Sequence, residues 1–383
     1  MGNSWKLDEA GSALLASVDS AVERVIAPWA PAIDKEGRFP KENVKALRES
    51  GALGLVGART VGGREQGIRT AVAVVERIAR DCPSTAMIAT MHNCAAAVIE
   101  KLGPESMRRS IAQEGKLATL AFSETGSRSH FWVPVSTATR SNGSVRLNAA
   151  KQLITSAGNC DIYVWSSRPV EAEGLSSIWA VPAASPGLSI AERFDGLGLR
   201  GNGSAPIIGK DVLIPESNAL GEDGKGFDVM MSLVLPYFSL QACAVSLGMM
   251  EGGLARAIEH VTKSQYAYDG SKIADIPQVR GHIAKSRLKV DLVRGFLLDA
   301  LDAVEQSRPD ALLRVLESKV AGAEASLEVL DRAMRVCGGA AFRKDVDVER
   351  FFRDSRASAV MGPVTDALYD FIGKAACGMP LFG

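Results

Sequence analysis

This chain is organised around the stretch AFSETGSRSH at residues 121–130 and its continuation LNAAKQLITS at residues 147–156. The first run follows the apolar segment LATLAF and consists mainly of hydroxyl side chains and a glycine, so it predicts a loop after a β-strand. Such a loop can present oxygens and backbone N–H groups to a phosphate or to the polar edge of a flat cofactor, although an ordinary turn has a similar composition. The glycine-containing turn and the returning strand that ends at Thr155 favour the cofactor interpretation.

The two runs resemble the signatures T-E-P-G-A-G-S-D and G-x-K-x-W-I-T-N of the acyl-CoA dehydrogenase superfamily, whose members are flavoproteins. The resemblance implies that Ser123 lies near the pyrimidine edge of the flavin. It also implies that Ser129 binds the FAD pyrophosphate and that Thr155 forms a hydrogen bond with flavin N5. The cofactor implied by the resemblance is therefore FAD.

Three residues depart from these signatures. Thr125 replaces the usual proline, His130 replaces the usual aspartate, and Leu153 replaces the tryptophan that normally flanks the flavin. We therefore expect FAD with Leu153 at its flank and in atypical electronic surroundings.

The composition is that of an ordinary globular protein with a small-molecule ligand. Of the 383 residues, 46% are hydrophobic and 23% are charged, and the 44 basic and 44 acidic residues give no net charge. A chain of this length can form two or three domains. The balanced charge provides no electrostatic basis for binding nucleic acid or an anionic membrane.

The cysteines and the N-terminus predict a cytoplasmic protein. The six cysteines are widely spaced, without a CxxC motif or a Cys/His cluster, so we expect reduced thiols and no zinc site. The N-terminal sequence MGNSWKLDE has no apolar signal region. Residues 229–250 are uncharged and long enough to span a bilayer, but their Pro, Gln, Tyr and Ser residues favour a buried central helix.

The sequence pattern divides the chain into three parts. Residues 1–117 show helical spacing of apolar residues, residues 118–224 show short β-like runs between turn residues, and residues 225–383 are again helical. We expect a mainly α protein with an N-terminal helical domain, a small middle domain that is an antiparallel β-barrel or sandwich, and a C-terminal four-helix bundle. This order resembles the acyl-CoA dehydrogenase layout, for which the middle domain is a β-barrel, so the resemblance covers essentially the whole chain.

A diglycine in the C-terminal part resembles the family motif Q-x-x-G-G-x-G. Arg335 stands in place of the glutamine, and Gly338 and Gly339 match the two glycines. The resemblance implies that these residues contact the FAD of a neighbouring subunit, and hence a homodimer or homotetramer. A simple helix C-cap is the structural alternative for the diglycine.

The carboxylate that removes the substrate α-proton in the family has no counterpart here. The two positions that the family uses for this glutamate hold Gly362 and Tyr237. The replacement candidates are Asp366, His92 and His130, and Glu251 is a more distant possibility. Asp366 can equally be a charge at a helix N-terminus, and a histidine in an apolar helix is often a satisfied core residue.

Three functions fit these observations. The first is an FAD-dependent dehydrogenase that acts on an acyl thioester of CoA or of a carrier protein, with a non-standard base. The second is an oxygen-using monooxygenase or oxidase of the same fold, which the missing glutamates and tryptophan and the presence of His92 favour. The third, a non-catalytic homologue, is hard to reconcile with the retained set of Ser123, Ser129 and Thr155.

Overall fold

The computed structural model of the protein describes residues 5–128, 130–192 and 194–380. Helices dominate these residues, and seven short strands interrupt them between residues 118 and 215. The predicted fold class is therefore confirmed: helices, then a small β region, then helices.

The N-terminal region is all-helical, and its helix α5 (Pro83–Leu102) packs against α4 (Ile68–Ala79) and α6 (Glu105–Ala112). Pro83 occupies the first turn of α5, where its missing N–H has no intrahelical partner to lose, and most of the alanine-rich helix is buried. A π-helical turn at Val22–Ile26 joins the first two helices. The helices are α1 (Glu9–Ala21), α2 (Ala27–Glu36), α3 (Lys41–Glu49), α4 (Ile68–Ala79), α5 (Pro83–Leu102) and α6 (Glu105–Ala112).

The middle region contains two sheets that enclose an apolar core with Trp165 and Trp179. One sheet has the strand order β1-β4-β5 and the other has the order β2-β3-β7-β6. The strands are β1 (Ala118–Ala121), β2 (Thr137–Ser141), β3 (Ser144–Ile154), β4 (Ile162–Ser167), β5 (Ser177–Pro182), β6 (Leu188–Ile190) and β7 (Ala205–Pro215).

The expected small β domain is present, but one of its strand pairs is parallel and not antiparallel. β1 pairs with β4 in parallel, with Ala118 opposite Ile162. The chain leaves β1, forms the β2–β3 hairpin in the other sheet and then returns, so β4 runs in the same direction as β1; parallel neighbours require such a crossover. The remaining pairs are antiparallel, and the strands form two hydrogen-bonded sheets.

Three long helices form the C-terminal bundle, and a shorter helix, α13, packs against α10 as the fourth member. α4 also packs against α8, so the N-terminal and C-terminal helices share one core. The stretch Gly226–Lys263 is long and apolar enough to cross a membrane, but 61% of its most apolar window is buried inside the protein. The helices are α7 (Gly226–Val229), α8 (Leu235–Lys263), α9 (Pro277–Glu305), α10 (Ala311–Cys337), α11 (Val348–Ser355), α12 (Ala357–Val360) and α13 (Thr365–Ala376).

Candidate active site

The two polar runs of the sequence lie side by side. The Ser123 carbonyl accepts a hydrogen bond from the Gln152 backbone N–H at 2.9 Å, and Glu124 forms an antiparallel bridge with Lys151. A β-bulge between Lys151 and Ile154 gives Leu153 a φ of 52° and leaves its side chain 66% exposed. Ser123 is exposed as well, so the two runs share an open face.

Thr155 follows β3 and is 5% exposed. Its hydroxyl lies 3.3 Å from the Ser204 hydroxyl, and its carbonyl accepts a hydrogen bond from the Thr119 hydroxyl at 3.0 Å. Thr155 is thus held in place two residues beyond Leu153, at the end of the same strand. Its role toward flavin N5 stays a prediction.

The loop after Ser123 has an unsatisfied hydroxyl. The Ser127 Oγ atom is buried and has no hydrogen-bond partner among the described residues, although buried hydroxyls normally have one. Ser129, the predicted pyrophosphate ligand, lies outside the described residues. An orphaned hydroxyl in a loop beside an open face fits a polar ligand such as FAD.

An apolar cavity of about 60 Å³ lies next to this loop. The described residues that line it are all apolar. They belong to the segment after Ser123, to α8 and the π-helical turn before it, and to α10, α13 and the turn before α13. Pro363 belongs to this lining, so the cavity lies next to Gly362 in the chain, where the resemblance to the family predicts a glutamate. The lining residues are Phe131, Trp132, Met231, Leu235, Leu312, Leu316, Pro363, Leu368 and Phe371.

Tyr237, at the second usual glutamate position, cannot replace a carboxylate. Burial raises the pKa of its phenol to about 12, so the group is neutral at physiological pH. Among the described residues, neither glutamate position therefore supplies a base.

The assignment of His92 as a catalytic base is not supported. Its Nε2 lies 2.8 Å from the Leu53 carbonyl, and its Nδ1 accepts a hydrogen bond from the Ala118 N–H at 3.1 Å. Burial lowers the pKa of the ring. His92 is thus a neutral core residue that joins α5 to β1, and both of its nitrogens are occupied.

Asp366 does not face the cavity either. It is exposed in the first turn of α13, whereas Leu368 and Phe371 of the same helix line the cavity. A two-residue separation corresponds to about 200° around a helix, so the carboxylate lies on the opposite side from Leu368.

His130 remains a candidate. It is exposed in the loop, and its ring centroid is 5.1 Å from that of Trp132, a residue that lines the cavity. Its role as a base stays a prediction.

The diglycine lies far from these groups. Leu316 lines the cavity near one end of α10, and Arg335 is 19 residues further along that helix, which corresponds to roughly 28 Å. A Cβ at Gly338 or Gly339 would meet no atom within 4 Å, and Arg335 is exposed in an ion pair with Asp331. The geometry therefore separates these residues from the cavity of their own chain.

Sequence reasoning missed Lys319 of α10. Its side chain is 2% exposed, and its Nζ donates to the carbonyls of Met361 at 3.1 Å and of Ser358 at 3.4 Å. Burial lowers the pKa of this amine to about 8. The sequence feature that could have indicated this burial is a lysine next to Val320 and three residues after Leu316, within the apolar positions of one helix.

Sequence reasoning also missed Phe131 and Trp132. Both aromatic residues follow directly after the polar loop, which was the available signal, and their rings pack edge to face at 5.2 Å. They connect the cofactor loop to the apolar cavity.

Family profiles match nearly the whole chain. They are the acyl-CoA dehydrogenase N-terminal domain at residues 8–114, the middle domain at residues 119–212 and the C-terminal domain at residues 224–376. The chain belongs to the acyl-CoA dehydrogenase family. As a member of this family it is an enzyme of the FAD-dependent oxidoreductase type.

Relatives of this acyl-CoA dehydrogenase family member support the assignment. The human mitochondrial short-chain specific acyl-CoA dehydrogenase is 26% identical over 365 residues, which cover 93% of this chain and 87% of the relative. The butyryl-CoA dehydrogenase of Megasphaera elsdenii has a similar structure, with a TM-score of 0.89 and 20% identity. The alignment covers 97% of this chain and 99% of that protein. The prolyl acyl carrier protein oxidase AnaB aligns with a TM-score of 0.86, 18% identity and coverage of 97% and 99%.

Proposed function

We propose that this protein binds FAD and oxidises an acyl thioester, carried by CoA or by a carrier protein, with a base other than the usual glutamate. FAD supplies a hydride acceptor at flavin N5. The observation that carries the proposal is the adjacency of the two signature runs, with Ser123 hydrogen-bonded to Gln152 and with Thr155 at the end of the same strand.

The residues of the chain have distinct roles in this proposal. Ser123 and Thr155 hold the polar edge of the cofactor, and Ser127 and Ser129 of the loop contact its phosphates. Leu153 covers the flank of the flavin. The apolar cavity excludes water from the acyl group and orients it, since a dry site strengthens polar interactions at the reacting atoms.

No described residue that lines the cavity carries a carboxylate, and this limits the chemistry. Gly362 has no side chain, Tyr237 is neutral and Asp366 points away, so α-proton removal has no evident base apart from His130. General-base catalysis typically contributes about 10²–10⁴-fold. We therefore expect slow desaturation of simple straight-chain acyl-CoA esters.

An oxygen-using flavoenzyme is the second candidate. The uncharged cavity favours it, because such a site does not supply the strong base that desaturation requires. A protein of the same fold, AnaB, is named an oxidase of a prolyl acyl carrier protein. His92 no longer supports this alternative, since both of its nitrogens bind the backbone.

One experiment tests the proposal and separates the two candidates. The purified protein is expected to be yellow, with about one FAD per subunit. It is mixed with acyl-CoA esters anaerobically and then in air. Bleaching without oxygen, with little oxygen consumption in air, indicates a dehydrogenase. Rapid oxygen consumption coupled to product formation indicates an oxidase or monooxygenase. A colourless protein that takes up no added FAD contradicts both.

The proposal includes a homodimer or homotetramer in the cytoplasm. Gly338 and Gly339 are open to solvent at the end of α10 that is distant from the cavity, which is compatible with contact to the cofactor of a neighbouring subunit. The six free cysteines are compatible with a reducing compartment.

A further inference from the structure

A buried ion pair joins the two signature runs. Lys151 Nζ and Glu124 Oε1 are 2.6 Å apart, and the two side chains are 0% and 1% exposed. Removing two charges from water is costly unless both are paired and hydrogen-bonded. Glu124 directly follows Ser123 and Lys151 lies two residues before Leu153, and Ser123 and Leu153 are the exposed residues of the candidate cofactor face.

The Glu124 carboxylate binds the far end of the loop at residues 125–134. Its Oε2 accepts hydrogen bonds from the N–H groups of Val135 at 2.6 Å and Ser136 at 3.1 Å, and its Oε1 accepts one from the Ser136 hydroxyl at 2.5 Å. The Glu124 carbonyl also accepts from the Arg128 N–H at 3.0 Å. One residue therefore holds both ends of the loop at residues 125–134, which contains Ser127 and Ser129.

Lys151 ties this carboxylate to the sheet. Its Nζ donates to the Ser166 carbonyl at 2.7 Å and lies 3.1 Å from the Ser166 hydroxyl on β4. The same nitrogen lies 5.1 Å from the centre of the Trp165 ring, a cation–π arrangement. The ammonium thus has acceptors on Glu124, Ser136 and Ser166, and it links β3, β4 and the loop.

Both groups are charged at neutral pH. Burial lowers the pKa of Lys151 to about 8, although Glu124 opposes this shift. Burial alone would raise the pKa of Glu124, but the adjacent ammonium holds it below its ordinary value. At pH 7 the Glu124 carboxylate that binds the Val135 and Ser136 N–H groups is therefore ionised and paired with the Lys151 ammonium.

We propose that Glu124 and Lys151 are positioning residues that hold the loop at residues 125–134 in the shape that binds FAD. This inference rests on the proposed function. The pair does not touch the cofactor; it fixes Ser123 and the loop hydroxyls that do. Loss of either charge frees the loop ends and leaves a buried, unpaired partner.

The test measures the FAD dissociation constant of apoprotein variants by flavin fluorescence titration. Glu124→Gln and Lys151→Met are each expected to weaken FAD binding at least tenfold. Hydrogen exchange of the apoproteins is expected to accelerate at Val135 and Ser136 and not in α8. The matched control is Glu171→Gln, which removes a carboxylate from an exposed ion pair with Arg140 and should bind FAD like the wild type.

The double variant Glu124→Gln/Lys151→Met covers the case in which a single variant does not fold. It leaves no unpaired buried charge, so it should fold, and it should still bind FAD at least tenfold more weakly. A folded double variant with wild-type FAD affinity overturns the inference, even if its melting temperature is lower, because the pair then serves stability alone. A wild-type protein that binds no FAD overturns the proposed function and this inference together.

Discussion

At the scale of single residues, the turn between α12 and α13 determines what the apolar cavity can do. Lys319 holds this turn through the carbonyls of Ser358 and Met361, and the Thr365 hydroxyl donates to the Ala359 carbonyl at 3.2 Å. Gly362 sits within this turn, at a position where the resemblance to the family predicts a glutamate. The contacts of Lys319 and Thr365 therefore hold the backbone on both sides of Gly362.

Gly362→Glu should restore a base. Gly362 is exposed and does not have a positive φ, so its backbone accepts an L side chain. We expect anaerobic flavin reduction by straight-chain acyl-CoA esters to accelerate at least tenfold, since a fully effective general base contributes about 10²–10⁴-fold. Stopped-flow absorbance of the flavin measures this rate. Gly281→Glu, at an open position of α9, is the control. Equal rates for Gly362→Glu and the wild type would argue against a lost base.

Lys319 should give the protein a specific pH dependence of stability. Burial lowers its pKa from 10.5 to about 8, so between these values the unfolded chain binds a proton that the folded protein has lost. The free energy of unfolding therefore rises with pH in this window. Relative to Lys319→Met, the wild type should gain about 2 kcal/mol between pH 7 and 9.5. Urea unfolding at both pH values measures the difference. An equal change in the free energy of unfolding for the wild type and Lys319→Met would contradict the prediction.

At the scale of the elements, two glycines allow α8 to approach the N-terminal helices closely. A Cβ at Gly248 would lie 2.4 Å from the Glu76 carbonyl oxygen of α4, and one at Gly252 would lie 2.1 Å from the carbonyl oxygen of Arg80, which follows α4. Neither distance is possible without movement of the backbone. These contacts bring α8 into the shared core.

Gly252→Ala should therefore destabilise the protein. Overpacking of a tight core typically costs about 1–3 kcal/mol, and the neighbouring atom here is backbone, which cannot rotate away. Gly281→Ala in α9 is the matched control: its Cβ would meet no atom within 4 Å, and alanine is favoured over glycine in a helix by about 1 kcal/mol. In urea unfolding, the free energy of unfolding should fall for Gly252→Ala and rise for Gly281→Ala. A neutral Gly252→Ala would show that α4 and α8 are not closely packed in solution.

At the scale of the whole molecule, two exposed leucines form an apolar patch on α9. Leu288 and Leu292 are 65% and 70% exposed on α9 and are four residues apart, so they lie on one face of that helix. An exposed apolar helix face is typical of an interaction surface. Together with the open diglycine, it supports the proposed homo-oligomer.

Light scattering should give a mass of two or four times 40.5 kDa for the wild type. Leu288→Glu/Leu292→Glu should shift the protein to a smaller assembly, because the charges would have to be buried in the interface. The control Leu213→Glu, at a residue of β7 that is 49% exposed, should leave the mass unchanged. A wild-type monomer that retains FAD would contradict the proposed assembly.

The sequence by itself determined the order of helical, β and helical regions and the presence of two runs that resemble the family signatures, because these depend on local periodicity and on residues close together in the chain. Tertiary structure decided the rest. The parallel pairing of β1 with β4 depends on a crossover through the second sheet. His92 loses its role as a base because its partners Leu53 and Ala118 are remote in sequence. The Glu124–Lys151 ion pair likewise forms only because the fold brings the two residues together. Burial and hydrogen bonding are properties of the folded chain.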